Sequence, residues 1–168
     1  KGIACFCKLT GTPSTTSVIL KLNEDGSLVI QYSGREMGQG LTTVIPQIAA
    51  ESLGIDVEKI NLAPVDTAYS PYDKTTTSSR STFHGGNAVL MAAEQIKEQL
   101  LDLAAKYFQV SPSQMEYVDG VIKCKNDPAK AIHINDIEAS GILKEQPPVI
   151  GNGRYSTLNL YDKPDPLT

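Results

Sequence analysis

The sequence predicts an α+β fold: a mixed sheet with hairpins packed against two main helices. Three patterns carry that expectation. Apolar residues alternate along 18–22 and again along 28–32, on either side of a turn. Residues 42–53 and 86–108 repeat apolar side chains at helical spacing. An Asp-Gly pair at 119–120 separates two further short apolar-rich runs. A length of 168 residues suits one domain with a core of its own, so 1–168 reads as a single domain.

The first hairpin runs from Thr16 to Tyr32. Val18, Leu20 and Leu22 share one face, Leu28, Ile30 and Tyr32 answer them, and Asn23-Glu24-Asp25-Gly26 makes the turn. Gly34, Gly38 and Gly40 then lead into a helix from Thr42 to Leu53. Thr42 or Thr43 can cap its start, Pro46 falls in its first turn, and Gly54 stands where a helix ends. A third strand is expected over Ile60–Val65, and the hydroxyl-rich stretch Thr67–Thr82 reads as a loop. The long helix Gly86–Phe108 carries the stripe Val89, Ala92, Ala93, Ile96, Leu100, Leu103 and Ala104. Ser111-Pro112-Ser113 opens a short turn or helix. Met115–Val118 and Val121–Cys124 form the second hairpin, His133–Ile142 reads as a short helix, and loops are expected from Pro147 onward.

Composition narrows the function. Hydrophobic residues make up 40% of the chain and charged residues 20%, and the net charge is −4. That is ordinary for a globular protein and leaves no basic excess for phosphate backbones, so nucleic acid is not an expected partner. No apolar run approaches the roughly 18 residues that span a bilayer, and Lys1–Cys7 is too short for a signal h-region, so a cytoplasmic protein is expected. The chain has no initiator Met and reads as a fragment. Cys5, Cys7 and Cys124 match no zinc or iron–sulfur spacing, and with His84 and His133 as the only histidines no metal ligands are assigned. The cysteines read as small half-buried strand residues.

Two segments carry candidate chemistry. Gly38-Gln39-Gly40 joins a strand to a helix start, where free amides favour an anion, two glycines admit a ligand to the backbone, and the Gln39 amide can donate and accept. Thr75 to Thr82 supplies seven hydroxyls and Arg80 just before the long helix, suited to a phosphate or a polar heterocycle. Each segment alone is also compatible with plain capping or turn formation. Both precede helices that follow strands, so they can converge on one ligand. No catalytic residue is assigned: there is no Gly-x-Ser-x-Gly elbow, Glu51 reads as a solvated helix carboxylate, Glu36 as a residue able to orient the glycine loop, and His84 as a polar helix-start residue.

Glu36–Leu41, Gln47–Glu51, Leu53-Gly54-Ile55, Asp66-Thr67, Pro71 and Thr76–Thr82 together resemble the second cofactor-binding segment of the molybdenum hydroxylases of the xanthine dehydrogenase and aldehyde oxidase kind. Gly2-Ile3-Ala4, the Asp25-Gly26-Ser27 turn, Asp119-Gly120-Val121 and Gly151–Tyr155 extend the similarity over nearly the whole chain. The resemblance implies a molybdopterin cofactor, with Gly38, Gln39 and Gly40 beside the metal and pterin. Thr77, Ser78 and Ser79 would lie against the pyranopterin and phosphate, with Arg80 continuing that loop. It implies hydroxylation of an aldehyde or N-heterocycle with water as the oxygen source, and a glutamate base in a Gly-Glu-Pro type motif that this chain lacks, so the chain alone is expected to be inactive. The implied partners are the remainder of the molybdenum subunit, [2Fe–2S] and FAD on other domains or subunits, a small-molecule substrate, and a possible second copy in a homo-oligomer. The alternative is a stand-alone, non-catalytic anion- or partner-binding module of the same fold; a third reading is a purely structural domain.

Overall fold

The computed structural model describes residues 2–6 and 13–158. Strands β1 (Thr15–Leu22) and β2 (Leu28–Tyr32) form the first hairpin, in register from Leu22↔Leu28 to Val18↔Tyr32. The Asp25 carboxylate fixes the turn by accepting from the Ser27 amide at 2.9 Å and its hydroxyl at 2.6 Å. The alternating apolar residues of both strands are all buried. Strand β3 (Ile60–Leu62) lies parallel to β2. It stops short of the expected Val65; its last bond to β2 is from the Ala63 amide to Ile30 O at 2.8 Å.

Helix α1 (Leu41–Leu53) buries Leu41, Ile45, Ala49 and Leu53, and ends at Gly54. Helix α2 (Gly86–Phe108) buries Ala88, Val89, Ala92, Ala93, Ile96, Leu100 and Ala104. A second, three-stranded sheet holds β4 (Met115–Val118), β5 (Val121–Cys124) and β6 (Asp127–His133) in that order. The Asp119-Gly120 hairpin is as expected; β6 is not. The expected helix over 133–142 reduces to one tight turn at 134–136 and the single-turn helix α3 (Ile137–Ser140). No element was expected over the stretch that forms β6; as an edge strand it can hold Pro128, whose missing N–H can face away from the ladder.

The main correction is β7 (Val149–Ser156), which occupies the stretch read as loop. It pairs antiparallel with the whole of β1, from Thr15↔Ser156 to Leu22↔Val149, and completes a sheet of order β3-β2-β1-β7. Gly151 and Gly153 face α2 so closely that a Cβ on either would collide with the carbonyl oxygens of Ala92 and Ala88. Glycine is a poor strand former, yet here its lack of a side chain lets a helix lie directly on the strand. The outer edge of β7 is closed by two glutamine amides. Gln95 exchanges hydrogen bonds with the Asn152 N–H and C=O, both at 2.9 Å. Gln99 donates to Ile150 O at 2.7 Å and accepts from Ile150 N at 3.3 Å.

The cysteines divide. Cys124 is buried on β5, Cys5 is exposed rather than half-buried on a strand, and Cys7 lies outside the described residues. Among the described residues no helix is long and apolar enough to cross a membrane.

Candidate functional site

The loop between β2 and α1 and the loop leading to α2 meet at one face. The Arg35 amide donates to the Thr76 hydroxyl at 2.7 Å and ties them together. Between them lies an open cleft lined by Met37, Gln39, Thr76, Thr77, Ser78, Ser79, Ser81 and Thr82. The structure thus brings Gln39 together with Thr77, Ser78 and Ser79, residues that lie far apart in the chain.

Glu36 organises the first loop. One carboxylate oxygen accepts from the amides of Gly38 at 2.7 Å and Gly40 at 3.1 Å. The other accepts from the Thr42 amide at 3.0 Å and its hydroxyl at 3.3 Å. The Thr42 amide first, then those of Gly40 and Gly38, pull its pKa down to about 2. Glu36, not Thr42 or Thr43, therefore caps α1, and the helix-start amides expected to receive a ligand anion already hold a carboxylate. Gly38 and Gly40 have φ of 98° and 79°, which only glycine adopts readily, and an added Cβ on either would meet open space.

Gln39 is oriented by its own loop. Its carbonyl oxygen accepts from Met37 N at 2.6 Å, and its amide nitrogen donates to Arg35 O at 2.8 Å. A primary amide has two N–H donors, so one remains for a ligand.

In the second loop Ser78 and Ser79 both have φ of 53°. Arg80 N closes the turn on Thr77 O at 3.1 Å. Two successive left-handed residues in a turn are usually Gly, Asn or Asp; serine there is strained, a condition that concentrates at ligand-binding sites. The side chains of Thr77, Ser78, Ser79 and Thr82 make no hydrogen bond among the described residues and line the cleft.

Arg80 lies underneath rather than in the cleft, fully buried. Its Nε donates to Ser14 Oγ at 3.0 Å, one terminal nitrogen to Asp73 Oδ1 at 2.7 Å and Thr75 O at 2.8 Å, and the other to Thr15 O at 3.2 Å and Thr16 Oγ1. All five N–H donors are engaged within the protein. Asp73, which sequence reasoning did not single out, is its ion-pair partner, with only 1% of its side chain exposed. The one signal for it was an acid inside an otherwise hydroxyl-rich loop, a few residues before the arginine.

His84 lies in the helical turn Ser81–Gly85 that leads into α2, and it is buried. Its Nε2 lies 3.2 Å from Ser14 Oγ and 3.1 Å from Thr157 Oγ1, and its ring meets Phe83 and Tyr155 edge-on. Burial, with the Arg80 charge second, lowers its pKa. Among the described residues no cluster of His, Cys, Asp or Glu could hold a metal ion.

A family model of the molybdopterin cofactor-binding domain matches residues 1–167. The chain is 29% identical to the carbon monoxide dehydrogenase large chain of Hydrogenophaga pseudoflava over 164 residues, 98% of this chain and 20% of that one. It is 30% identical over 126 residues to a putative xanthine dehydrogenase molybdenum-binding subunit of Escherichia coli, covering 72% of this chain and 17% of that one. The fold matches that of reconstituted CO dehydrogenase from Oligotropha carboxidovorans with a TM-score of 0.73 and 27% identity, over 83% of this chain and 18% of that one. The chain therefore spans about a fifth of the length of these relatives.

Proposed function

From the premise that this chain belongs to the molybdopterin cofactor-binding domain family, we propose that its Gln39 loop and Thr77–Ser79 turn form part of the surface that holds the cofactor of a molybdenum hydroxylase. The observation that carries the reading is the convergence of these two loops on one cleft. The donor set suits the group. Molybdopterin is anionic and rich in heteroatoms, and the cleft offers unbonded hydroxyls, one free Gln39 N–H and two glycines with open space above them.

When bound, the cofactor supplies the metal and redox chemistry of hydroxylation with water as the oxygen source. The residues of this chain bind and orient. Gln39 presents an N–H whose direction is set by its bonds to Met37 and Arg35. Gly38 and Gly40 keep the loop free of side chains that would hold a ligand off. Thr77, Ser78 and Ser79 supply hydroxyl contacts at the other wall.

Glu36 is not the general base in this reading. Glu36 is the carboxylate beside the cleft, and with a pKa of about 2 and four hydrogen bonds accepted it is too weakly basic to take a proton near neutrality. In this reading the base glutamate, the [2Fe–2S] clusters, FAD and the residues that select an aldehyde or N-heterocycle lie on the remainder of the subunit or its partners, and the chain alone is inactive.

The test is the pterin and molybdenum content of the native polypeptide that carries this sequence. About one of each per polypeptide supports the reading. Native protein active and free of both would overturn it.

A further inference from the structure

We propose that Arg80 and Asp73 are positioning residues, whose buried ion pair holds the Ser78–Ser79 turn in the shape it presents to the cleft. The inference rests on the reading that this turn meets the cofactor, and adds what sets its conformation.

Ser78 and Ser79 sit in a region that costs an L-residue free energy, and their side chains gain no compensating hydrogen bond among the described residues. Such a pair relaxes unless both ends are fixed. At the start, the Thr76 hydroxyl is held by the Arg35 amide at 2.7 Å. At the end, the anchor is Arg80. Its amide closes the turn on Thr77, while its side chain is clamped to the head of β1 at Ser14, Thr15 and Thr16 and to the earlier part of its own loop at Asp73 and Thr75.

No donor of Arg80 is left for a ligand, so its influence on the cleft passes through the backbone it fixes. Asp73 Oδ1 also accepts from Thr16 Oγ1 at 2.6 Å, whereas its Oδ2 is buried without a hydrogen bond among the described residues. A buried carboxylate with one oxygen bare is held by its partner's charge. A lysine would keep the charge but not the planar fork that reaches five acceptors.

The experiment uses the full chain with Arg80→Lys or Asp73→Asn, each alone and combined with the pair Ser78→Gly and Ser79→Gly, and that glycine pair alone as the reference. Backbone NMR reads the conformation at 78 and 79, and the same substitutions in the native polypeptide are assayed for bound pterin. Each single variant is expected to keep the core while positions 78 and 79 leave the left-handed region. The affinity for pterin then falls by roughly 30-fold, the order set by two left-handed serines. Glycine adopts positive φ without that cost, so in the glycine-pair background the Arg80 and Asp73 substitutions should lower binding by no more than about 3-fold relative to the glycine pair alone.

Serines that stay left-handed in both single variants, or anchor substitutions that cost as much in the glycine background as in the parent, would overturn the proposal. Should neither single variant fold, Thr16→Val removes one acceptor of Arg80 and one donor to Asp73 but keeps the ion pair, and is expected to give a partial loss that the glycine background again suppresses; an unchanged turn there counts against the anchor. A native polypeptide without pterin would refute the cofactor reading, while the NMR arm still decides whether the ion pair shapes the turn.

Discussion

The carboxylate of Glu36 and the amide of Thr42 meet at 3.0 Å, and that bond closes the start of α1 from outside the helix. With Gly38 and Gly40 bound to its other oxygen, Glu36 folds the intervening chain into a ring that presents Gln39 outward. Replacing Glu36 with Gln removes the charge and leaves one acceptor where there were two. Hydrogen exchange at the amides of Gly38, Gly40 and Thr42 should accelerate, while amides in the middle of α1 stay protected. Equal acceleration throughout α1 would show that Glu36 stabilises the helix generally and not the loop.

The same contacts predict an acid titration. The native pKa of Glu36 is depressed from 4.5 to about 2, so the carboxylate's contribution is complete above the unfolded value and is lost as pH falls toward 2. The Gly38 and Gly40 amide resonances should therefore move together with a midpoint near 2. A midpoint near 4.5 would mean that the ring is open in solution.

His84 gives stability a pH dependence in a different window. Burial lowers its native pKa below 6.5, so the unfolded state binds the proton more readily. Stability is complete above that value and declines as pH falls below it. Denaturant midpoints of the wild-type chain should drop on acidification from pH 6.5, and the His84-dependent part of that drop should vanish in His84→Gln.

The packing of α2 on β7 predicts a large effect from one methyl group. Gly153→Ala places a Cβ against the Ala88 carbonyl, a rigid main-chain neighbour. Overpacking of this kind costs about 1–3 kcal/mol. Thermal denaturation should show a lowered midpoint, with Asn152→Ala, whose side chain faces outward, as the mild comparison.

Gln95 and Gln99 stand in for a neighbouring strand along β7. Replacing both with Ala frees the N–H and C=O groups of Ile150 and Asn152. The expected cost is about 1 kcal/mol for each exposed amide pair, with a greater tendency to associate through the bared edge. Light scattering at rising concentration would register that association.

Much of this was legible from residue patterns. Period-two alternation located β1 and β2, helical stripes located α1 and α2, and Asp119-Gly120 located the β4–β5 turn. What escaped was set by distant partners. Gly151 and Gly153 read as loop because their reason for being glycine is the backbone of α2, about a third of the chain away. No element was expected over β6, where Pro128 interrupts the run and nothing local says that the strand is an edge. At the site, the two loops could be named from their residue types. That the anion position of α1 is filled by Glu36, and that Arg80 turns inward to Asp73, depends on three-dimensional closure that spacing does not encode.

The most direct test of the central claim is a crystal structure of the native, molybdenum-loaded polypeptide. The two-loop reading predicts Gln39 Nε2 and the Ser78–Ser79 turn at hydrogen-bond distance, roughly 3 Å, from the cofactor. A cofactor seated elsewhere, with this cleft filled by another part of the protein, would contradict it.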